Sequence, residues 1–148
     1  MSARRVRRRW PFAPILILAV VLSACGGDDE GGAQDPADLE GDPWVLTQML
    51  NAAGESEIVD VGVNAEFDGS TMSGISGCNR YNTSYEASGN EISFGPIAGT
   101  QMACPEPQMS AEARYLELLE TVATFEVDGR SMSMSDTDGT PILQFARS

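Results

Sequence analysis

No histidine and no lysine occur among the 148 residues. Each absence removes a class of chemistry. Without an imidazole, Ser-His-Asp and Cys-His arrangements have no general base, and without a lysine a Ser-Lys dyad has no amine. Positive charge of any kind is scarce. The nine basic residues are all arginine, and five of them, Arg4, Arg5, Arg7, Arg8 and Arg9, sit at the very start. The rest of the chain holds Arg80, Arg114, Arg130 and Arg147 against 22 acids. Nucleic-acid binding depends on neutralising phosphates with Lys and Arg, and a membrane-surface patch needs a basic cluster. The charge balance argues against both, and the acids read as a solvated, solubilising surface. A long hydrophobic run is also missing. The apolar stretch over 12–22 is interrupted by Pro14, and it is too short for a bilayer span of ~20 apolar residues.

A basic head followed by a short apolar run reads as an export signal. The run ends in Leu22-Ser23-Ala24-Cys25, which resembles a bacterial lipobox: a branched apolar residue, two small residues and a cysteine. Residues 1–25 are therefore expected to be a lipoprotein signal peptide ending at a lipidated Cys25. The plain alternative is an ordinary signal peptide that ends near a cysteine. Acyl chains contribute about 0.8 kcal/mol per buried CH2, so two or more chains anchor stably. The expected location is the extracytoplasmic face of the bacterial cell membrane, held there by lipid. Residues 26–41, rich in Gly and Asp, read as an acidic disordered tether with Leu39 as its one candidate anchor. Two cysteines remain, Cys78 and Cys104. In an exported domain such a pair reads as a disulfide, against the alternative of two buried free thiols. Two thiolates without histidine fall short of a usual zinc set, so no metal and no cofactor are expected.

The folded domain is expected over 42–148. Strand patterns follow one another. The stretch 44–50 is apolar on both faces. Val61, Val63, Ala65 and Phe67 alternate with polar residues, Tyr81, Thr83 and Tyr85 share a face, and Phe125 and Val127 alternate with acids. The stretch 52–57 reads as a loop. Asp68-Gly69, Asp128-Gly129 and Asp138-Gly139 are hairpin signals. One segment, 108–122, has helical period. Ala111, Tyr115, Leu118, Leu119 and Val122 form its apolar side, and Arg114, Glu117 and Glu120 its polar side. Glu112 is placed in the first turn, where its charge suits the helix dipole. The fold class is α+β: a compact, curved antiparallel sheet of many short strands with one helix packed on it.

The order of motifs is recognisable. Trp44-x-Leu46 comes first, then a strand ending in Phe67-Asp68-Gly69. Gly74-x-x-Gly77-Cys78-Asn79-x-Tyr81 follows, then Tyr85, Gly89-Asn90, Phe94-Gly95, Thr100-x-Met102-Ala103-Cys104-Pro105, a helix with Glu112 and Leu119, and the aromatic strand at Phe125. This pattern resembles the META domain family, which includes the HslJ heat-shock lipoproteins. Gln101 is a departure, since an arginine often stands there. The resemblance covers nearly all of 42–148. It implies a single small α+β domain with roles in envelope stress and antibiotic (novobiocin) tolerance, no established catalysis and no catalytic residues to carry over.

Three functions stay open. The first is a non-enzymatic lipoprotein that binds another envelope component. The second is a carrier or pilot that shelters an apolar segment or a lipid in the curved sheet. The third is an enzyme working with carboxylates alone. A binding site is placed where Asn79, Arg80 and Tyr81 meet Thr100, Gln101 and Met102, two segments that a Cys78–Cys104 bridge would bring together. There a guanidinium beside an amide and a phenol can make forked hydrogen bonds. The structural alternative is that Asn79 caps a turn, Tyr81 fills the core and Arg80 pairs with an acid.

Overall fold

A computed structural model describes residues 34–147. The signal peptide, Cys25 and the first half of the expected tether lie outside these residues. The described chain forms β1 Trp44–Leu50, β2 Ser56–Ile58, β3 Asn64–Asp68, β4 Thr71–Ile75, β5 Arg80–Ser88, β6 Glu91–Phe94, β7 Ala98–Gly99, α1 Gln108–Leu119, β8 Thr124–Asp128, β9 Ser131–Ser135 and β10 Pro141–Ala146. Alternation decides the strands. In β5, Tyr81, Thr83 and Tyr85 point inward while Arg80, Asn82, Ser84 and Glu86 face solvent. Asp68-Gly69 and Asp128-Gly129 make the tight turns between β3 and β4 and between β8 and β9, with the glycines at φ 61° and 59°.

All pairings are antiparallel, and they close into a barrel. β1, β3, β4, β5, β6, β8, β9 and β10 follow one another, and β10 returns to β1 through Val45↔Ala146 and Leu46↔Phe145. The expected curved sheet is thus an eight-stranded barrel, because the β1–β10 pairing removes both edges. β2 and β7 are additions. Each extends the outer line of a long strand, β2 on β1 and β7 on β5. The stretch expected as a loop over 52–57 therefore ends in a strand, since Ser56 and Glu57 sit opposite Leu50 and Met49. The seam between β6 and β8 is the thinnest. It has one residue pair, Glu91↔Thr124, flanked by Ile92 N–H donating to Ala123 O at 3.0 Å and Phe125 N–H to Asn90 O at 2.8 Å.

The interior is filled. Trp44, Leu46, Ala65, Phe67, Met72, Phe125, Met132, Met134, Leu143 and Phe145 are buried. Phe67 and Tyr85 meet edge to face at 5.1 Å between centroids. Met49, Met72, Met132 and Met134 serve as core filling, Met109 is half-buried and Met102 is exposed. Any carrier role would have to use the outer surface.

The two barrel ends are closed differently. At the end where β1 begins, residues 34–41 form a strap. Pro36–Leu39 is a short 3-10 helix with Asp35 accepting from Ala37 N–H, and Leu39 is buried against Trp44, whose indole N–H donates to the Leu39 carbonyl at 2.8 Å. Gln34 accepts from Val127 N–H and Glu40 from Gly69 N–H. The tether reading therefore does not hold from Gln34 onward. Proline at the first helical position and one buried leucine order a segment whose composition alone reads as disordered. At the other end, where β1 finishes, α1 lies across the opening. Tyr115, Leu118 and Leu119 face inward, and Arg114 donates to the carbonyls of Leu50 and Asn51. α1 stops at Leu119 rather than at Val122, because Thr121 and Val122 N–H turn to Leu118 and Leu119 O and tighten the last turn.

Candidate functional site

The loop from Ser76 to Asn79 and the segment from Thr100 to Cys104 meet at the α1 end. The Cys78–Cys104 disulfide joins them, with Cα atoms 6.0 Å apart. Gly77 lies at φ 108°, and a Cβ there would sit 3.2 Å from the Gln108 carbonyl, so the loop can pass under the start of α1 only as glycine. Gly74 is equally confined, because a Cβ would run into the Asn64 backbone carbonyl of β3. These two glycines allow close packing of backbone.

Asn79 is the centre of the loop and is 4% exposed. Its side chain makes four hydrogen bonds. Oδ1 accepts from Met102 N–H at 2.7 Å and from Thr100 Oγ1 at 2.8 Å, while Nδ2 donates to Met102 O at 3.2 Å and to Glu112 Oε1 at 2.8 Å. An amide has just this capacity, two donors and two acceptor sites. Glu112 is the other half of the arrangement. Its Oε2 accepts from Ser76 Oγ at 2.6 Å and from Asn79 N–H at 2.8 Å. Partial burial pushes its carboxyl upward, but the bonds from Ser76, from the Asn79 side chain and from the Asn79 and Cys78 backbone outweigh it and hold the group below its ordinary value. Glu112 is in the second turn of α1, where it pins the loop. Helix-dipole placement was the wrong reason for its position: the first turn holds no acid.

Tyr81 points inward. Its hydroxyl lies 2.7 Å from that of buried Tyr115 and 3.0 Å from Asn64 O. Desolvation drives both phenols well above their ordinary range, so the pair is neutral.

Of the six residues expected to form a binding site, the structure brings all six together but gives them different work. Asn79 and Tyr81 are buried and satisfied internally. Thr100 is shared, its hydroxyl bonding Asn79 and accepting from Arg80 N–H at 3.2 Å. Arg80, Gln101 and Met102 are exposed. Arg80, Thr100 and Gln101 line a groove of about 300 Å3 together with Ile97, Leu116 and Glu120. Met102 stands outside it. The other described arginines are engaged. Arg114 pairs with Glu117 at 2.9 Å, Arg147 lies 4.1 Å over the Trp44 ring and bonds Glu40 O, and Arg130 bonds Arg147 O. Among the described residues, only the Arg80 guanidinium has no side-chain hydrogen bond or ion pair.

Ile97, Leu116 and Glu120 were not legible as site residues. Leu116 and Glu120 follow Glu112 at four-residue steps, so the helical period held the signal. Ile97 is placed by the short run between β6 and β7, which no period marks. The Asp136-Gly139 segment is a turn, with Asp136 Oδ1 accepting from Asp138 and Thr140 N–H.

The META domain family matches residues 37–148. Among solved structures, an NMR structure of a protein from Burkholderia xenovorans is 32% identical, with a TM-score of 0.63 over 82% of this chain and 96% of the other. A second NMR structure is 21% identical, with a TM-score of 0.59 over 76% and 94%. A crystal structure of a DUF4847 family protein from Bacteroides vulgatus ATCC 8482 shares the fold at 14% identity, with a TM-score of 0.54 over 74% and 94%. No curated protein matches the chain.

Proposed function

Starting from the fact that this chain belongs to the META domain family, we propose that it is a non-catalytic envelope lipoprotein that binds another envelope component through the groove at Arg80. Cys25 anchors it, and the context is envelope stress or antibiotic tolerance. A disulfide between Cys78 and Cys104 is consistent with an extracytoplasmic location. The observation that carries the reading is the free guanidinium of Arg80. It stands in an acidic domain, beside the polar Thr100 and Gln101 and over the apolar Ile97 and Leu116. An unpaired guanidinium in such a groove suits a carboxylate or phosphate oxygen pair, which it can bind through two parallel hydrogen bonds. The same groove carries Glu112 and Glu120, but Glu112 is held ionised by four donors, which makes it a poor proton shuttle.

The test places a photo-crosslinking side chain at Gln101 in intact cells and compares Arg80 with Arg80→Ala. Loss of the cross-linked adduct with an unchanged melting temperature is expected. An adduct that survives Arg80→Ala, or a domain that Arg80→Ala unfolds, sinks the reading.

A further inference from the structure

A second groove lies on the other flank of α1, and its wall is an open strand edge. β4 covers β3 and ends at Ile75, and the Ser76–Val63 bridge carries its line one residue further. Among the described residues, β2 pairs with β1 alone. The pairing phase shows which groups are left. Asn51 N–H donates to Glu55 O and Val59 N–H to Thr47 O, with Glu57 set opposite Met49. Residues 55, 57 and 59 therefore turn their backbone groups to β1, and Ser56 and Ile58 turn theirs outward. Between this edge and α1 is a groove of about 410 Å3 with an apolar floor of Met49, Val59, Val61, Pro107 and Ala111. Ile58 is 82% exposed, the largest exposure among the big apolar side chains described. Glu55, Glu57 and Asp60 are exposed around it. The one cation in the lining, Arg114, is occupied by Leu50 O, Asn51 O and Glu117.

We propose that the β2 edge is a docking strand for an extended, cationic segment of a partner protein. The segment adds to the sheet through the free N–H and C=O groups of Ser56 and Ile58. Its alternate side chains enter the groove on the face that Glu57 and Val59 share, and the intervening ones lie on the opposite face beside Ile58. Glu55, Glu57 and Asp60 around the edge favour a segment of net positive charge. A second copy of this chain is the disfavoured occupant, because it would bring the same three acids against themselves. Edge strands are blunted by brevity, charge, proline or a covering segment. β2 is short and carries acids that repel a second copy, but it has no proline and keeps an exposed isoleucine. The groove is separate from that at Arg80 and does not depend on it.

The probe is an acetylated and amidated hexapeptide of alternating lysine and valine, followed by amide NMR on the lipid-free domain at low salt. Shifts confined to Glu55–Val61 and to the first half of α1 are expected. Affinity should fall at least about tenfold when the peptide amides of one edge are N-methylated, and as much when Ile58→Pro removes the outward donor, since 1.4 kcal/mol is a factor of ten. Glu57→Lys, which leaves the backbone intact, should weaken binding by about threefold or more and flatten its salt dependence. Arg80→Ala should leave it unchanged. The proposal is overturned by shifts that map elsewhere or are absent, or by equal binding of a glutamate-valine peptide. Full retention after N-methylation would overturn it as well. So would β2 shifts that grow with protein concentration in the absence of peptide, since these would assign the edge to a second copy.

Discussion

At the residue scale, the contrast between Asn79 and its neighbour Arg80 separates holding from binding. Asn79 uses every hydrogen-bonding group it has, and Arg80 uses none of its side chain. Asn79→Ala would leave Met102 N–H and O and one oxygen of Glu112 without partners in a part-buried site. A loss of about 3 kcal/mol in urea unfolding is expected, since each stranded polar group costs about 1–3 kcal/mol. Arg80→Ala should stay within about 0.5 kcal/mol, the usual range for surface changes. Glu112 makes the loop sensitive to acid. Its carboxyl titrates lower in the folded chain than in the unfolded one, so over that interval the unfolded state binds the extra proton. The stability it contributes is complete above its ordinary value of 4.5 and is lost as pH falls through the lower folded value. Melting temperature followed from pH 6 downward should fall more steeply in the wild type than in Glu112→Gln. Parallel curves would show that the pinning contacts do not matter. Asn79 and its setting next to a cysteine were legible. The partner role of Glu112 was not, because it depends on α1 crossing the loop.

At the element scale, the strap and the disulfide each hold a barrel end that strands alone leave open. Leu39 is 1% exposed in a segment with few other apolar residues. Leu39→Ala should cost about 2–4 kcal/mol, the usual range for a buried leucine, and should expose Trp44 beneath it. An unshifted indole fluorescence in the variant would mean that the strap does not cover the barrel end. The Cys78–Cys104 bridge closes a loop of 26 residues. Chain entropy puts its contribution at about 3.5 kcal/mol. Intact mass of the unreduced domain should be two hydrogens light, and the Cys78→Ser, Cys104→Ser double variant should unfold at correspondingly lower urea. Two alkylatable thiols in the native protein would contradict the bridge. The strand alternation and the helical stripe were readable because periods of 2 and 3.6 follow from local geometry. The strap was misread because a single leucine gives no period.

For the whole molecule, the N-terminal strap and the two grooves belong to opposite ends of the barrel. The N-terminal strap closes the end where β1 begins. Both grooves open beside α1, at the end where β1 finishes. A lipid at Cys25 would therefore hold the strap end near the bilayer and turn the grooves outward. Cys25→Ala should move the protein from the detergent-extracted membrane fraction to the soluble one. A variant that still needs detergent for release would refute the anchor. Among the described residues, no helix is long and apolar enough to cross a membrane.

The amino-acid sequence by itself determined the chemistry that is ruled out, the acidic surface, the family, the mostly β character with one helix, and the pairing candidates Cys78 and Cys104. These follow from composition, local period and residue order, all of which are properties of the unfolded chain as well. Only the tertiary structure decided that the curved sheet closes, because closure rests on β1 meeting β10 across almost the whole domain. Long-range contact likewise assigned Asn79 and Tyr81 to support, left Arg80 free and opened the β2 edge. Each of these outcomes depends on which segments become neighbours in space, and burial and hydrogen-bond satisfaction are settled only there.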